Sequence, residues 1–230
     1  MEAESITIPI EKEKNLRRSL VFYIKIKGIM SRLAAIVMII ILSPILLLIS
    51  AAIRLDSPGN PLFAQKRVGE KGRNFTAYKF RTMRINNDDS AYRLYLEQYI
   101  LQNAPYKIKN NGEPVFKLVD DPRITRIGAL LRKSNLDELP QLLNIIKGEM
   151  VFIGPRPDIP FSVSMYRDWH YRRLEIKPGI TGLWQVAHRK NLNFDDMVRL
   201  DIQYIEQQSL PLDLKILLMT VKTIFTGDGS

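Results

Sequence analysis

The sequence predicts a mixed α/β (α+β) fold, a single membrane-attached domain. Three observations carry that prediction. An uncharged apolar run, Leu33 to Ile53, reads LAAIVMIIILSPILLLISAAI. Two strand-like runs, LFAQKRV and NFTAYKFRTM, flank the turn Gly69-Glu70-Lys71-Gly72, the pattern of a β-hairpin. Several helical stretches follow, separated by proline-, glycine- and asparagine-bearing connections. At 230 residues the chain is long enough for one domain with a real core, and it carries no internal repeat or low-complexity tract.

The elements follow in order. Met1 to Arg18 is mixed in charge and weakly patterned, and residues 1–30 are expected to form a basic tail or short surface helix. Residues 31–56 are expected to be the membrane segment, and 57–230 a further domain with interfacial helices. Asp56-Ser57-Pro58-Gly59-Asn60-Pro61 is a turn leading into the β-hairpin. Asp88 to Gln102 reads as a helix and Asn103 to Glu113 as a polar, mobile loop. Asp121-Pro122-Arg123 is expected to open a helix through Lys133, because proline suits a first turn. Asp137 to Lys147 is expected to form another, stopped by Gly148. Val151-Phe152-Ile153 reads as a strand feeding Gly154-Pro155-Arg156-Pro157, and Pro178 to Gly182 as a loop. Phe194 to Gln208 and Leu210 to Phe225 read as two closing helices, the second suited either to the core or to a membrane interface.

The apolar run would be roughly 31 Å long as a straight helix, enough to cross a bilayer core. It lies too far from the N-terminus for a secretory signal. Pro44 removes a backbone donor and clashes with the Ile40 carbonyl, so a kink is expected there, with the Ser43 hydroxyl available to the freed carbonyl. Lys25, Lys27 and Arg32 precede the run; Arg54, Lys66 and Arg67 follow it. Positive residues favour the cytoplasmic side, so a spanning helix would misplace one cluster, whereas a hairpin turning at Ser43-Pro44 would keep both inside. Length and charge thus pull in opposite directions, and both geometries stand at this point.

The formal net charge is +10, which calls for an anionic partner: nucleic acid, an anionic membrane or a phosphate-bearing substrate. With no cysteine and only His170 and His188, there is no disulfide, thiol nucleophile or Cys-based zinc site. Both histidines are expected to make ordinary hydrogen bonds. A bound metal would be held by oxygen, favouring Mg²⁺ or Mn²⁺. No Walker A loop, GxGxxG, HExxH or GxSxG occurs, which disfavours a P-loop ATPase, dinucleotide enzyme, zinc protease or serine hydrolase.

The stretch LRKSNLDELPQLLNIIKGEMVFIGPRP places Asp137 and Glu138 between Arg132-Lys133 and Lys147 and Arg156. Two carboxylates among cations suit a phosphate ester handled through a carboxylate and a divalent metal. On a helix, consecutive side chains diverge by about 100°, so the two acids would divide their labour rather than share a proton. The competing reading is structural, with Asn135 as a helix cap and Glu138 as its capping-box acid. Arg132 and Lys133 would neutralise phosphate or form a solvated helix end. Arg156, between Pro155 and Pro157, is held with little entropy to lose and suits bidentate phosphate recognition, or is a surface arginine on a rigid turn. Lys79 and Arg81 alternate on one strand face and would line a phosphate pocket or face solvent; Lys66-Arg67 carries the same ambiguity. Arg123 and Arg126 are expected to share a helix face.

Taken together, these blocks resemble the bacterial sugar transferase family, the monotopic polyprenyl-phosphate phosphoglycosyl transferases. The matching stretches are Ser43-Pro44 within the apolar run, PLFAQKRVGEKGRNFTAYKFRTM, DPRITRIGALLRKSNLDELPQLLNIIKGEMVFIGPRP, and KPGITGLWQV with its MVRLDIQYI and LDLKILL sequel, from about Ser31 to Gly227. The resemblance implies transfer of a sugar-1-phosphate from a UDP-sugar to undecaprenyl phosphate with release of UMP. It points to a hexose such as glucose or galactose, at the first step of exopolysaccharide, capsule or O-antigen synthesis. It implies Asp137 as nucleophile, Glu138 as the Mg²⁺ ligand (Mn²⁺ in its place), and Lys79, Arg81, Arg132 and Arg156 around the phosphates. Pro155 and Pro157 would shape the turn. It also implies a re-entrant helix-break-helix hairpin turning at Ser43-Pro44, membrane lipids as partners, and a catalytic domain on the cytoplasmic face of the bacterial inner membrane. No nucleic acid is needed, and homodimerisation is left open. Asn135 departs mildly from the small residue many members carry there. The chain lacks the large N-terminal multi-helix region of some members and is expected to be a minimal or truncated form. Two alternatives remain: a non-catalytic basic membrane-anchored binding protein, and a hydrolase using the same two acids.

Overall fold

A computed structural model of the chain describes residues 10–85, 89–109, 112–116, 121–187 and 192–226. The first nine residues of the expected tail, Asp88, Asn110, Asn111 and His188 lie outside these. Helix α1 runs from Ile10 to Asp56 and takes in the whole apolar run, with Pro44 inside it. From Ile10 onward, the expected tail is therefore part of this helix. By its secondary structure α1 is one element rather than two helices with a break. Pro44 cannot donate to the carbonyl four residues back. The Ser43 hydroxyl donates to that same Ile40 carbonyl instead, at 2.9 Å.

The rest of the chain holds α1 on both sides of Ser43-Pro44. Ahead of it, Tyr23 and Lys27 reach Asp213 Oδ2 at 2.5 and 2.9 Å, and the fully buried Ala35 packs with Leu142, Ile145 and Met150. After it, Ile53 packs with Phe80 and Leu131, and Asp56 Oδ2 accepts from the Ile127 amide at 3.0 Å. Between these anchors the outward face is apolar, with Ile40, Ile41, Leu47 and Leu48 all largely exposed.

Strands β1 (Leu62–Val68) and β2 (Asn74–Phe80) form the antiparallel hairpin the sequence predicts, in register from Leu62↔Phe80 to Val68↔Asn74. Helix α2 (Ser90–Gln102) follows. The segment expected to be a polar loop contributes β3 (Lys107–Ile108), antiparallel to β4 (Pro114–Val115). Helix α3 spans Arg126–Ser134, later than Asp121-Pro122-Arg123 suggested. Its cap is Thr125, whose hydroxyl accepts from the Gly128 amide at 3.0 Å. Arg123 therefore shares no helix face with Arg126 and instead pairs with Asp121 and Asp89. A Cβ on Gly128 would stand 2.1 Å from the Thr82 carbonyl oxygen, so glycine is what lets α3 lie against the exit of β2.

The single helix expected over 137–147 is two elements: a 3-10 turn, Leu136–Gln141, and helix α4, Leu142–Lys147. Pro140 lies inside the turn and has no N–H to give an α-helical ladder. Gly148, at φ 78°, ends α4 as expected. Strand β5 (Val151–Ile153) pairs in parallel with β6 (Gly179–Thr181), so the expected Pro178–Gly182 loop supplies a strand. Between them lie α5 (Pro160–Val163) and a 3-10 segment, Asp168–Leu174. The chain closes with α6 (Leu183–Val186), α7 (Phe194–Gln207) and α8 (Leu210–Thr226). Helix α8 packs on the core through the buried Asp213 and Ile216, while Leu210, Leu214, Leu217, Leu218 and Val221 form an exposed stripe at helical spacing.

Candidate active site

The candidate site forms where β2, the 3-10 turn and the segment after β5 meet. Asn144 sets that junction. Fully buried on α4, it accepts from the Tyr78 amide at 3.1 Å and donates to the Thr76 carbonyl at 2.6 Å. These bonds fix α4, and the turn before it, against β2. Lys79 on β2 then reaches Glu138 Oε1 at 2.8 Å. Arg156 clamps the same carboxylate from the far side, Nη1 donating to Oε2 at 3.2 Å and Nη2 to Oε1. Glu138 is thus sandwiched, with 11 % of its side chain exposed. Neither it nor Asn135 forms the capping box the structural reading required, since the Asn135 side chain makes no cap bond.

Burial alone would raise the Glu138 carboxyl, but the charges and hydrogen bonds of Arg156 and Lys79 overcome it and hold the group well below the usual carboxylate range. In turn, Glu138 holds the Arg156 guanidinium more firmly protonated. Burial lowers Lys79 while Glu138 pulls it back. Asp137 differs from its neighbour. Burial pushes its carboxyl above the ordinary value; Lys79 opposes this and the Glu138 charge adds to it. Among the described residues, none hydrogen-bonds the Asp137 carboxylate. Arg132 is exposed at the rim yet acts electrostatically on Asp137. Arg67 adds a further half-buried cation beside Arg156 and Glu138. Four cations thus surround two carboxylates, a field that attracts a polyanion such as a diphosphate.

Among the described residues, no three acidic or histidine side chains converge to cage a metal. Mg²⁺ does not need such a cage, since it takes one or two carboxylates, substrate phosphates and water. Asp137, with its acceptor sites free, fits that donor set. Glu138 accepts twice at Oε1, from Lys79 and Arg156, and once at Oε2, from Arg156, so as a metal ligand it would share its carboxylate with these cationic donors.

The structure therefore brings together Asp137, Glu138, Lys79, Arg156 and, at the rim, Arg132. It does not bring Arg81. Strand β2 ends at Phe80, and the Arg81 guanidinium, 6 % exposed, donates back to the Ser57 and Pro58 carbonyls. Arg81 clamps the turn after α1 rather than joining the cluster around Glu138. Lys147 is also absent from the cluster and stacks on Tyr78. Pro155 and Pro157 flank Arg156, while Ser43 and Pro44 lie in α1. His170 is buried, accepts from the Arg167 amide through Nδ1, and meets Asp195 through Nε2, an ordinary set of hydrogen bonds. Sequence reasoning passed over Asn144 and the buried Arg173, and left Arg67 ambiguous. The alternation of β1 was the available signal for Arg67, because Gln65 and Arg67 share a face and bond at 2.6 Å.

The bacterial sugar transferase model matches residues 22–227. The galactosyl transferase CpsE of Streptococcus agalactiae is 41 % identical over 197 residues, 85 % of this chain and 41 % of that protein. The undecaprenyl-phosphate galactose phosphotransferase of Salmonella typhimurium is 38 % identical over 196 residues, 85 % of this chain and 40 % of that protein. The exopolysaccharide production protein ExoY of Rhizobium meliloti is 37 % identical over 201 residues, 86 % of this chain and 84 % of that protein. The chain thus spans about two fifths of the longer relatives, 41 % of CpsE, and most of ExoY. With the family model covering nearly the whole chain, and ExoY matched over 86 % of this chain and 84 % of its own length, the chain belongs to the bacterial sugar transferase family.

Proposed function

We propose that the protein transfers a hexose-1-phosphate from a UDP-sugar to undecaprenyl phosphate, through a covalent intermediate on Asp137. The observation that carries this is the unlike pair at the site: Glu138 locked between Arg156 and Lys79, Asp137 beside it with no hydrogen-bonding partner among the described residues. A carboxylate kept from its neighbours' hydrogen bonds retains its nucleophilicity. In the first step an Asp137 oxygen attacks the sugar-bearing phosphorus, the bond from that phosphorus to the bridging oxygen breaks, and UMP leaves with that oxygen. In the second step an oxygen of the lipid phosphate attacks the same phosphorus, and the Asp137 ester bond breaks to restore the carboxylate. Lys79, Arg156 and Arg67 offset the diphosphate charge, and Arg132 meets it at the rim. Mg²⁺, held by Asp137 and donor phosphate oxygens, would neutralise charge on the departing nucleotide.

The same reading places the domain on one membrane face. Lys27 and Ala35 on one side of Ser43-Pro44, and Ile53 and Asp56 on the other, all contact a single domain, while the apolar face between them is bare. A helix crossing the bilayer would separate one of those flanks from the domain by roughly 30 Å. This supports a membrane segment that enters and leaves by one face, with the exposed stripe of α8 in the interface and both basic clusters on the cytoplasmic side of the bacterial inner membrane. The test is transfer of radiolabelled sugar from a panel of UDP-sugars into the organic phase, using undecaprenyl phosphate and Mg²⁺. Label in the lipid, absent with Asp137→Asn, is expected. Release of free sugar phosphate without lipid acceptor would favour a hydrolase instead.

A further inference from the structure

The turn that presents Arg156 is held almost entirely from outside. Pro155 and Pro157 have no N–H to offer. Four consecutive carbonyls of this turn instead accept from elsewhere. Pro155 O takes the Gly179 amide at 2.9 Å, and Arg156 O takes Arg173 Nη2 at 3.2 Å. Pro157 O takes Arg67 Nη1 at 2.9 Å, and Asp158 O takes the Val68 amide at 2.8 Å. Of these, the clamp on Arg156 itself comes from a side chain whose hydrogen-bond partners are Asp158, Tyr166, Arg156 and Asp201 and include neither Asp137 nor Glu138.

Arg173 is built for that task. Its side chain is 2 % exposed, and its Nη1 donates to Asp158 Oδ2 at 2.7 Å and to the Tyr166 hydroxyl at 3.0 Å. Its Nη2 is shared between Arg156 O and Asp201 Oδ2, the latter at 2.6 Å. Tyr166 donates to Asp158 Oδ2 at 2.5 Å, closing the ring. Two carboxylates on separate elements thus orient one guanidinium, and its planar fork reaches the backbone of the residue that holds Glu138. Asp201 is an expensive anchor: it is fully buried, its Oδ1 has no partner, and burial raises its carboxyl to about 7 against the pull of Arg173. A fold needing only stability would more often fill this space with apolar side chains.

We propose that Arg173, anchored by Asp158 and Asp201, is a positioning residue that aims Arg156 at Glu138 and so sets the phosphate-binding geometry; this rests on the transfer reading above. Lysine at 173 keeps the charge but cannot serve four acceptors at once. The test uses the 230-residue chain in lipid nanodiscs, with folding followed by circular dichroism and two readouts on Arg173→Lys. The first is the Arg156 Nε–Hε NMR resonance, assigned by its loss in Arg156→Lys. The second is the kcat and donor KM of transfer.

The expected result is a folded variant with the Arg156 resonance shifted or broadened. Its kcat falls about tenfold to hundredfold, the scale of an ångström-level misplacement, while donor KM changes by about threefold or less. Arg173→Lys added to Arg156→Lys causes no further loss of kcat. Asp201→Asn, which keeps Arg173 and loosens its anchor, moves both readouts in the same direction by less, and it decides the matter if Arg173→Lys does not fold. A folded variant with an unmoved Arg156 resonance and kcat within twofold of the parent overturns the proposal. If the parent itself transfers no sugar from any donor, the transfer reading fails, and the resonance alone decides whether Arg173 positions Arg156.

Discussion

Replacing Glu138 by glutamine tests the electrostatic account of the site most directly. The carboxylate accepts from Lys79 and twice from Arg156, and the three side chains are 11, 18 and 30 % exposed in the order Glu138, Lys79 and Arg156. Such a site is too enclosed for solvent to screen the pairs. Removing the charge leaves two enclosed cations facing each other. Breaking a buried pair in this way costs about 3–5 kcal/mol, and glutamine keeps the shape and one acceptor, so the lower end, about 3 kcal/mol, applies. For a chain of this size, that lowers Tm by roughly 6–12 °C. Thermal unfolding followed by circular dichroism in detergent measures it. The pH dependence has a definite sign. Glu138 is depressed in the folded state, so its contribution is fully present above the ordinary glutamate value of 4.5 and is lost as pH falls through the lower folded value. The gap between parent and variant should therefore hold steady from pH 8 to about 5 and narrow in stronger acid. Adding Lys79→Met should recover part of the loss, because it removes one stranded cation. A gap below about 2 °C at pH 7, or one that does not narrow in acid, would refute the sandwich as the source of this stability.

Three further outcomes are expected. Asp137→Asn lowers transfer by about 10³-fold or more, and protein trapped with labelled donor in the absence of lipid acceptor loses its covalent label. Because attack requires the Asp137 carboxylate and burial raises that group, activity rises with pH through a limb lying above the ordinary aspartate value of 3.8. Lys79→Met, which removes a charge that lowers Asp137, moves the limb upward; a limb at or below 3.8 contradicts the burial of Asp137. The chain has no cysteine, so single-cysteine variants map topology cleanly. Lys25→Cys and Asn60→Cys should both react with an impermeant maleimide in inside-out vesicles and in neither case in right-side-out vesicles, whereas opposite behaviour at the two positions would mean a spanning helix.

What the sequence disclosed follows the range of the interactions involved. The β1–β2 hairpin was legible because alternation and a glycine-bearing turn are local signals, and Gly148 was legible as a stop for the same reason. The pairing of β5 with β6 was not: each strand has three residues, too few for periodicity, and they join across a long intervening segment. The start of α3 was misjudged because Asp121-Pro122 and Thr125 both carry start signals. The outcome turned on Arg123 being drawn to Asp121 and Asp89, which left Thr125 as the cap. Arg81 shows how one residue beyond a strand defeats an alternation argument. Its backbone amide still follows β2 by donating to the Pro61 carbonyl, but the guanidinium is claimed by carbonyls at the end of α1.

The two acids make the same point at the smallest scale. Adjacency suggested divided labour but not which acid would take which part. The difference arises in Leu136–Gln141, where Pro140 sits within a 3-10 turn and successive side chains diverge by about 120°. At that angle Glu138 turns into the space between β2 and the segment after β5, where Lys79 and Arg156 neutralise it, and Asp137 turns out of their hydrogen-bonding reach. The cations that could pair with either acid are thus spent on Glu138. Arg156 can be spent there because its turn is pinned carbonyl by carbonyl from β1, β6 and Arg173. The free acceptor sites of Asp137 are therefore a consequence of contacts reaching from Arg67 to Asp201, which is why a motif confined to Leu131–Pro157 locates the chemistry without assigning its parts.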